Sequence, residues 1–288
     1  MPRHEQLSYT KFSVRSADGT SIGYRQLGHG PAVILIHGGM QASQDFMKLA
    51  TELSGQFTIY VPDRRGRGLS GPFGDNYSVT KECEDVAALV EKTGAQNIFG
   101  LSSGAIIALR ASLTIPRLRR VALYEPPLSV NGSTPVWWLP RYEREIAQGK
   151  INQALVSVFK GTPVGPTFFV RAPRFILGPV LALATRFVDN PEGDDVAIKA
   201  LVPTQHYDMI IIQETADSIQ DYKSVSADVL LLGGSKSPSF LTTSIDALEH
   251  VLPSVQRKTL AGFDHLSAAN DGKPEVVAKE LQRFFVNH

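Results

Sequence analysis

Short apolar runs alternate with amphipathic stretches along most of the chain. Period-two runs at 11–28, separated by an Asp18-Gly19 turn, predict an N-terminal hairpin. Nearly continuous apolar runs of strand length follow, as expected for a parallel sheet covered on both faces. The alternation predicts an α/β fold with a mostly parallel central sheet flanked by helices. The predicted strands after the hairpin are 32–38, 57–63, 97–102, 119–125, 228–234 and 256–262, and the predicted helices are 45–53, 80–92, a stretch beginning near Ser103, 245–251 and 275–285.

The alternation stops after residue 125, where helix-like segments punctuated by proline and glycine replace the strands, and it returns at residue 228. We therefore expect a helical cap inserted between two core strands, above their carboxyl ends. The predicted domains are an α/β core of residues 1–126 and 223–288 and a cap of residues 127–222.

Charge is balanced, because 29 basic and 28 acidic residues give a net charge of +1. This favours neither nucleic acid nor a membrane as a partner. Basic runs at 64–67 and 117–120 are interpreted as solvated loop and strand-entry residues. The N-terminus lacks an apolar signal region, and no run of about 18 uninterrupted apolar residues occurs. We expect a soluble, cytoplasmic protein, with the apolar segment 173–187 as a cap or core helix.

Cysteine and metal chemistry are not indicated by the composition. Cys83 is the single cysteine, so an internal disulfide is excluded. Its place in a predicted helix favours a packed thiol over a nucleophile. No grouping of His, Asp and Glu has the spacing of a metal site. We expect neither a metal nor a cofactor.

Residues 100–104 read Gly-Leu-Ser-Ser-Gly, which has the form G-x-S-x-G between a predicted strand and a predicted helix. A sharp strand-to-helix turn strains the middle residue and exposes its hydroxyl, and the flanking glycines relieve crowding. Ser102 is therefore the candidate nucleophile. The alternative is that Ser102 only caps the helix.

Two further segments place candidate groups at the carboxyl-terminal edge of the sheet. His37-Gly38-Gly39 follows the first parallel strand, and the backbone N–H groups of Gly39 and Ser103 are the pair expected to hold an oxyanion. His37 itself is expected to be structural. His265 follows the last strand, as the chain order nucleophile, acid, histidine requires, and is the candidate general base.

Four segments together resemble the α/β-hydrolase superfamily: HGG at 37–39, DRRGRGLS at 63–70, GLSSG at 100–104 and FDHLS at 263–267. The resemblance covers nearly the whole chain. It is to the capped branch that contains carboxylesterases, cofactor-free haloperoxidases, epoxide hydrolases and haloalkane dehalogenases, and it implies an α/β-hydrolase fold with a cap. Epoxide hydrolases and dehalogenases attack with an aspartate, so the serine argues for acyl transfer.

Residues 66–71 also satisfy the dinucleotide-binding pattern G-x-G-x-x-G. A dinucleotide loop opens a helix whose N-terminus meets a phosphate, whereas here a turn-rich stretch, PFGDNYS, follows. We therefore expect no NAD or FAD.

The acid of the implied catalytic triad is missing from its usual place. In most members that the chain resembles, the strand matching 228–234 is followed by G-x-x-D, but that position is Ser237 here. The acid orients the histidine and stabilises the imidazolium. Some members carry it after the preceding strand, where Glu125 is predicted to replace it. The alternatives are a purely structural Glu125, Asp264 as the acid, a Ser-His dyad supported by Ser237 or water, and lost catalysis.

The cap covers the pocket entrance and is expected to decide specificity. Its many large apolar groups and scattered charges favour an uncharged, hydrophobic acyl or alkyl group. The alternative is that these side chains form the core of the cap. The predicted pocket residues are Met40, Trp137, Trp138, Phe168 and His206, and the other large apolar residues of the insertion are Phe169, Phe175, Leu177 and Phe187.

These assignments predict a serine hydrolase, of the carboxylic ester class, that acts on a small hydrophobic molecule. Lactonase, C–C bond hydrolase and perhydrolase chemistries use the same constellation. A different class of function is also open: a catalytically impaired hydrolase-like protein that binds a hydrophobic small molecule. Ser237 favours that alternative, whereas Ser102 and His265 oppose it.

Overall fold

The computed structural model describes residues 9–164, 171–188 and 191–286. At its centre is an eight-stranded sheet in the spatial order β1-β2-β4-β3-β5-β6-β7-β8. The strands are β1 (Thr10–Arg15), β2 (Ser21–Gly28), β3 (Ala32–Ile36), β4 (Thr58–Pro62), β5 (Asn97–Leu101), β6 (Arg120–Tyr124), β7 (Asp228–Gly234) and β8 (Val255–Leu260). The β1–β2 and β2–β4 pairs are antiparallel, and the other pairs are parallel.

Helices follow most of the strands. Those in the described part of the chain are α1 (Met47–Ser54), α2 (Val79–Thr93), α3 (Ser103–Thr114), α4 (Leu139–Ala147), α5 (Ile151–Gly161), α6 (Arg174–Val188), α7 (Ile198–Leu201), α8 (Gln205–Glu214), α9 (Ser239–Val251) and α10 (Pro274–Val286). Short 3₁₀ turns lie at Ser43–Phe46, Val202–Thr204 and Ile219–Ser224. A mostly parallel sheet flanked by helices is the fold that the sequence predicts, so this prediction is confirmed.

The central strands are apolar throughout because both of their faces are buried. On β3, Ile34 and Ile36 pack into a hydrophobic cluster that includes side chains of α2 and α3. Val33 and Leu35 point the other way, into a cluster that includes side chains of α1 and α10. Alternate residues of a strand face opposite sides of the sheet. When helices cover both sides, every residue of the strand is buried, and the strand is therefore apolar without interruption.

Strand register brings several chain segments to one edge of the sheet. Ile36 of β3 pairs with Gly100 of β5, while Leu101 of β5 and Leu232 of β7 both pair with Tyr124 of β6. Because these strands are parallel, the residues that follow them meet at the same carboxyl-terminal edge, which is where open α/β sheets bind ligands.

One helix begins earlier than its sequence pattern indicates. The apolar pattern predicts a helix from residue 245, but α9 begins at Ser239. Its first turns contain serine and threonine, which have weak helix propensity. Leu241 is buried to 1% exposure, so tertiary packing of this turn outweighs the local preference.

The helical segment between β6 and β7 is the predicted cap, and its described residues form α4 to α8 and no strand. Trp138, Tyr142 and Leu155 of the cap belong to the same buried cluster as Ile106 of α3, so apolar packing continues from the core into the cap. The exact boundaries of the cap stay a prediction. Within the described ranges, no helix has the length and apolar character needed to cross a membrane.

The basic run at 64–67 is not solvated, and this interpretation was wrong. Arg65 is buried and forms ion pairs with Asp85 (2.6 Å) and Asp18 (2.9 Å). Arg64 and Arg67 are buried as well. A buried guanidinium requires a carboxylate partner. Because these partners are distant along the chain, the sequence around the arginines does not indicate their burial. In the other basic run, Arg117 and Arg119 are exposed as expected.

Candidate active site

Ser102 occupies a sharp turn between β5 and α3. Its φ of 57° and ψ of −125° lie in a region that non-glycine residues rarely adopt, which is backbone strain of the kind found at functional sites. A Cβ at Gly104 would lie 2.4 Å from the His37 carbonyl oxygen, so only glycine fits there. The Ser102 hydroxyl makes no capping hydrogen bond to α3, so the helix-cap interpretation is wrong.

His265 lies in the loop between β8 and α10, and its Nδ1 is 2.7 Å from Glu125 Oε2. Both side chains are buried, with 9% and 1% exposure. His265 and Ser102 line the same cavity. The Tyr124 hydroxyl donates to the Asp264 carbonyl oxygen (2.8 Å), which ties the histidine loop to β6.

Glu125 is held by the ends of two neighbouring strands. Its backbone N–H donates to Leu232 O (3.1 Å), and its Oε1 accepts from the Gly234 N–H (2.6 Å). A Cβ at Gly233 would lie 3.2 Å from Oε1 and 2.9 Å from Ile245 Cδ1, so this glycine leaves room for the carboxylate. With one oxygen bonded to the sheet, the other is fixed toward His265.

The other groups considered as the acid have different surroundings. Ser237 Oγ is buried and has no hydrogen-bond partner among the described residues. Asp264 accepts hydrogen bonds from the Leu266 N–H (3.1 Å) and Ser267 Oγ (3.0 Å). Glu125 is therefore the carboxylate that the structure brings to His265.

The loop after β3 packs against the serine turn. A Cβ at Gly38 would lie 3.0 Å from Ser102 Cβ. His37 Nε2 accepts from the Arg64 N–H (3.1 Å), which leaves Nδ1–H to donate to Gly38 O (3.0 Å). Burial, followed by the nearby Arg67 and Arg64 charges, lowers the pKa of His37 well below its usual value, so the ring is neutral. These contacts agree with a structural role.

A cavity of about 370 Å³ opens above Ser102. Gly39 and Ser103, whose N–H groups are predicted to hold an oxyanion, both line it. Most of its wall is apolar and comes from the cap and α9. Large apolar residues of the wall include Met40, Leu155, Val158, Phe159, Leu181, Met209, Ile212, Phe240 and Leu241.

Of the predicted pocket residues that the structure describes, only Met40 lines this cavity. Trp137 is 68% exposed, and Trp138 is buried against Tyr142, at a ring-centroid distance of 5.7 Å. Nδ1 of the His206 ring lies 2.8 Å from Glu143 Oε1 at the surface. These three assignments were wrong, because the turn before α4 directs Trp137 toward solvent and Trp138 into the cap, and α8 places His206 at the surface.

Of the other apolar candidates, three stay predictions and two do not line this cavity. Phe168 and Phe169 lie outside the described residues, as does the side chain of Phe187. Phe175 is 78% exposed, and Leu177 is fully buried.

Sequence reasoning missed the polar residues of the cavity wall, among them Gln205 and Asp208 on α8; the others are Gln41, Thr134, Thr162 and Asp271. Asp208 is buried and pairs with Arg64 and Arg67 (2.7 Å each). The excess of arginine at 64–67 was the one available signal, since burying such a cluster requires carboxylates from elsewhere.

Among the described residues, no group of three His, Cys, Asp or Glu side chains could hold a metal ion. Burial raises the pKa of Cys83 to about 12, which makes its thiol a poor nucleophile. The loop at 66–71 opens no helix, because the next one begins at Val79. A Cβ at Gly66 would collide with the Phe73 ring, so that ring fills the space beside the loop.

The fold and this site define a hydrolase class: residues 31–270 match the profile of the alpha/beta hydrolase fold family, and the chain belongs to this family. Two of the relatives that it matches are a hydrolase and an esterase. It is 23% identical to 2-(acetamidomethylene)succinate hydrolase of Mesorhizobium japonicum, over 92% of this chain and 91% of that protein. It is 31% identical to pimeloyl-[acyl-carrier protein] methyl ester esterase of Xanthomonas campestris pv. campestris, over 47% of this chain and 51% of that protein.

The fold also matches solved structures. An alpha/beta hydrolase from Sphaerobacter thermophilus superposes with a TM-score of 0.75 at 27% identity, covering 96% of this chain and all of that one.

Proposed function

We propose that the protein is a serine hydrolase that cleaves esters of an uncharged, hydrophobic small molecule. The observation that carries the proposal is the 2.7 Å contact between His265 Nδ1 and Glu125 Oε2, on a histidine that shares its cavity with Ser102. A carboxylate on Nδ1 leaves Nε2 free to act as a base toward the serine, which is the arrangement of a catalytic triad.

The proposed reaction proceeds through an acyl-enzyme. Ser102 Oγ attacks the ester carbonyl carbon while its proton passes to His265 Nε2, and the carbonyl electron pair moves onto oxygen. The N–H groups of Gly39 and Ser103 stabilise this oxyanion. As the tetrahedral intermediate collapses, the alkoxy group leaves with the proton from His265. Water then attacks the acyl carbon and gives its proton to His265, which returns the proton to Ser102 Oγ as the acid is released. Glu125 stabilises the imidazolium in both steps.

The lining of the cavity supports an uncharged substrate. Among the described residues, its wall contains no lysine or arginine. Of its two carboxylates, Asp208 is paired with two arginines and Asp271 is exposed to solvent. A substrate carboxylate would therefore be buried without a cationic partner, which is costly. This argues against the succinate-type substrate that the name of the Mesorhizobium japonicum relative indicates.

Treatment with a fluorophosphonate ester tests the proposal without a guess about the substrate. We expect peptide mass spectrometry to find the phosphonyl group on Ser102 and not on Ser103 or Ser237. Hydrolysis of p-nitrophenyl esters, with identification of the products, then separates ester cleavage from lactone, C–C bond and perhydrolase chemistry. A native protein that neither reacts nor hydrolyses any ester would leave ligand binding as the better proposal.

The acyl-chain preference is expected to depend on Leu181. This side chain lines the cavity and is 6% exposed, whereas its neighbour Val180 on the same helix is 43% exposed. Leu181→Trp should lower kcat/KM for octanoyl esters by about tenfold or more relative to acetyl esters, because the larger ring fills the apolar end of the pocket. Initial rates on an ester series measure this.

Val180→Trp is the matched control, since it adds the same ring outside the cavity. It should keep the native order of chain lengths. An unchanged preference in Leu181→Trp would mean that the acyl chain occupies another part of the cavity.

A further inference from the structure

A buried carboxylate of the cap lies against both segments that carry the proposed oxyanion donors, the loop after β3 and the start of α3. Asp208, on α8, is 1% exposed. Its Oδ1 accepts hydrogen bonds from Ser103 Oγ and Arg64 Nη1, each at 2.7 Å, and its Oδ2 accepts from Arg67 Nη2 at 2.7 Å. The reaction proposed above uses none of these side-chain contacts, so they require another explanation.

One contact leads to the donor on α3. Ser103 is the residue whose backbone N–H is proposed to hold the oxyanion, and its side-chain hydroxyl is bonded to Asp208. The hydroxyl and the N–H belong to the same residue at the first turn of the helix. A bond that fixes the side chain therefore restrains the direction of the N–H.

The second contact leads to the donor on the β3 loop. Arg67, held by Asp208 through Nη2, also donates from Nη1 to the Gly38 carbonyl oxygen (3.3 Å). The Gly38 C=O and the Gly39 N–H belong to one planar peptide unit, so orienting the carbonyl orients the N–H. Asp208 is close to this peptide itself, because a Cβ at Gly39 would lie 3.2 Å from Oδ2.

We infer that Asp208 is a positioning residue that fixes both oxyanion donors from the cap, an inference that rests on the proposed function. The hydrogen bonds of this carboxylate go to Arg64, Arg67 and Ser103 and not to Ser102 or His265. The carboxylate acts through Ser103 on one side and through Arg67 on the other, so seating the cap on the core also aligns the oxyanion hole. Preorganised donors of this kind are the largest single contribution in many acyl-transfer enzymes.

The charge of the cluster lets the direction of a change in kcat distinguish positioning from a direct effect of charge. Two arginines, Arg64 and Arg67, face two carboxylates, Asp208 and Glu82. Burial raises the pKa of Asp208, but Arg67 and Arg64 outweigh this, so the net pKa is lowered and the group is ionised at neutral pH. Asp208→Asn removes one negative charge beside the oxyanion. If Asp208 acted by charge alone, the oxyanion would be better stabilised and kcat would rise.

Positioning predicts the opposite result. Asp208→Asn should lower kcat for the ester by about 10- to 100-fold and leave KM within about twofold, because the donors act mainly in the transition state. The matched control is Glu82→Gln, which removes the other buried carboxylate of the cluster, bonded to Arg64 and Tyr77. The control should lose thermal stability to a similar degree while its kcat stays within about threefold of native.

Ser103→Ala provides a second variant that keeps both arginine–Asp208 pairs and the backbone N–H. It should lower kcat by about 3- to 10-fold with KM unchanged. In the double variant with Asp208→Asn, the loss should be smaller than the product of the two single losses, because both changes disturb the same hydrogen-bonded cluster. An unaltered kcat in Ser103→Ala would overturn the Ser103 part of the inference.

Amide hydrogen exchange separates this inference from the proposed function, because exchange does not depend on turnover. In Asp208→Asn, peptides covering 37–44 and 100–108 should exchange faster, with no matching change in α10. Faster exchange in a protein that hydrolyses no ester would refute the proposed function and keep the positioning role. Four results in Asp208→Asn would each overturn the inference. They are unchanged exchange, a kcat that is retained or raised, a kcat loss that Glu82→Gln matches, and a change confined to KM.

Discussion

Ser102→Ala is expected to lose ester hydrolysis almost completely, with kcat lowered by about four to six orders of magnitude. The variant keeps the cavity and the backbone N–H groups but has no atom that can form the acyl bond. Alanine occupies the same volume at the strained turn, so the fold should persist. Binding of a slowly hydrolysed ester, measured by calorimetry, should be close to native, because the proposed role of Ser102 is in bond formation.

Ser237→Ala is the matched control for this result. It also removes a serine hydroxyl, but one that is buried without a hydrogen-bond partner among the described residues. Its activity should stay within about twofold of native, and its stability should be equal or higher, since an unsatisfied hydroxyl costs free energy. A loss in Ser237→Ala comparable to that in Ser102→Ala would revive the dyad in which Ser237 supports the histidine.

Glu125→Gln should have the second largest effect, lowering kcat/KM and the rate of fluorophosphonate labelling by about 10³- to 10⁴-fold. An amide cannot stabilise the imidazolium by charge, and its NH₂ group facing Nδ1 would favour the wrong tautomer of His265. Glutamine can still accept the Gly234 N–H through its carbonyl oxygen, so the bond between β6 and β7 need not be lost. Circular dichroism and the melting temperature check that the fold persists.

Asp264→Asn tests the neighbouring carboxylate in the same assay. Its oxygen can still accept from the Leu266 N–H and Ser267 Oγ, so the loop should keep its shape. We expect activity within about threefold of native. The opposite pattern, with Asp264→Asn inactive and Glu125→Gln active, would transfer the role of the acid to Asp264.

The position of the catalytic acid shows which part of the candidate site could be predicted from the sequence. The absence of a carboxylate at Ser237 was visible in the sequence, and Glu125 was the group that strand order could bring to the same edge. What the sequence lacked was the contact itself, because His265 and Glu125 are 140 residues apart in the chain. Their approach depends on the register of β6 with β7 and on the tie between Tyr124 and the histidine loop.

The cap shows where the reasoning failed. The alternative, that its large apolar side chains form a core of the cap, fits Trp138 and Leu177. The residues predicted to face the pocket were chosen by size and type. Trp137 and Trp138 are adjacent in sequence, yet one is exposed and the other is buried. Such differences depend on where each helix begins and how it rotates against its neighbours, which local composition does not encode.

By itself, the sequence determined the elements whose signals are local: the apolar strands, the helices between them, the serine turn with its glycines, and the order of serine and histidine. The tertiary structure decided everything that depends on distant partners, above all the pairing of Glu125 with His265 and of Asp208 with the arginines at 64 and 67. The physical reason is that strand and turn signals arise from neighbouring residues, whereas a buried charge is satisfied by whichever group folding brings beside it.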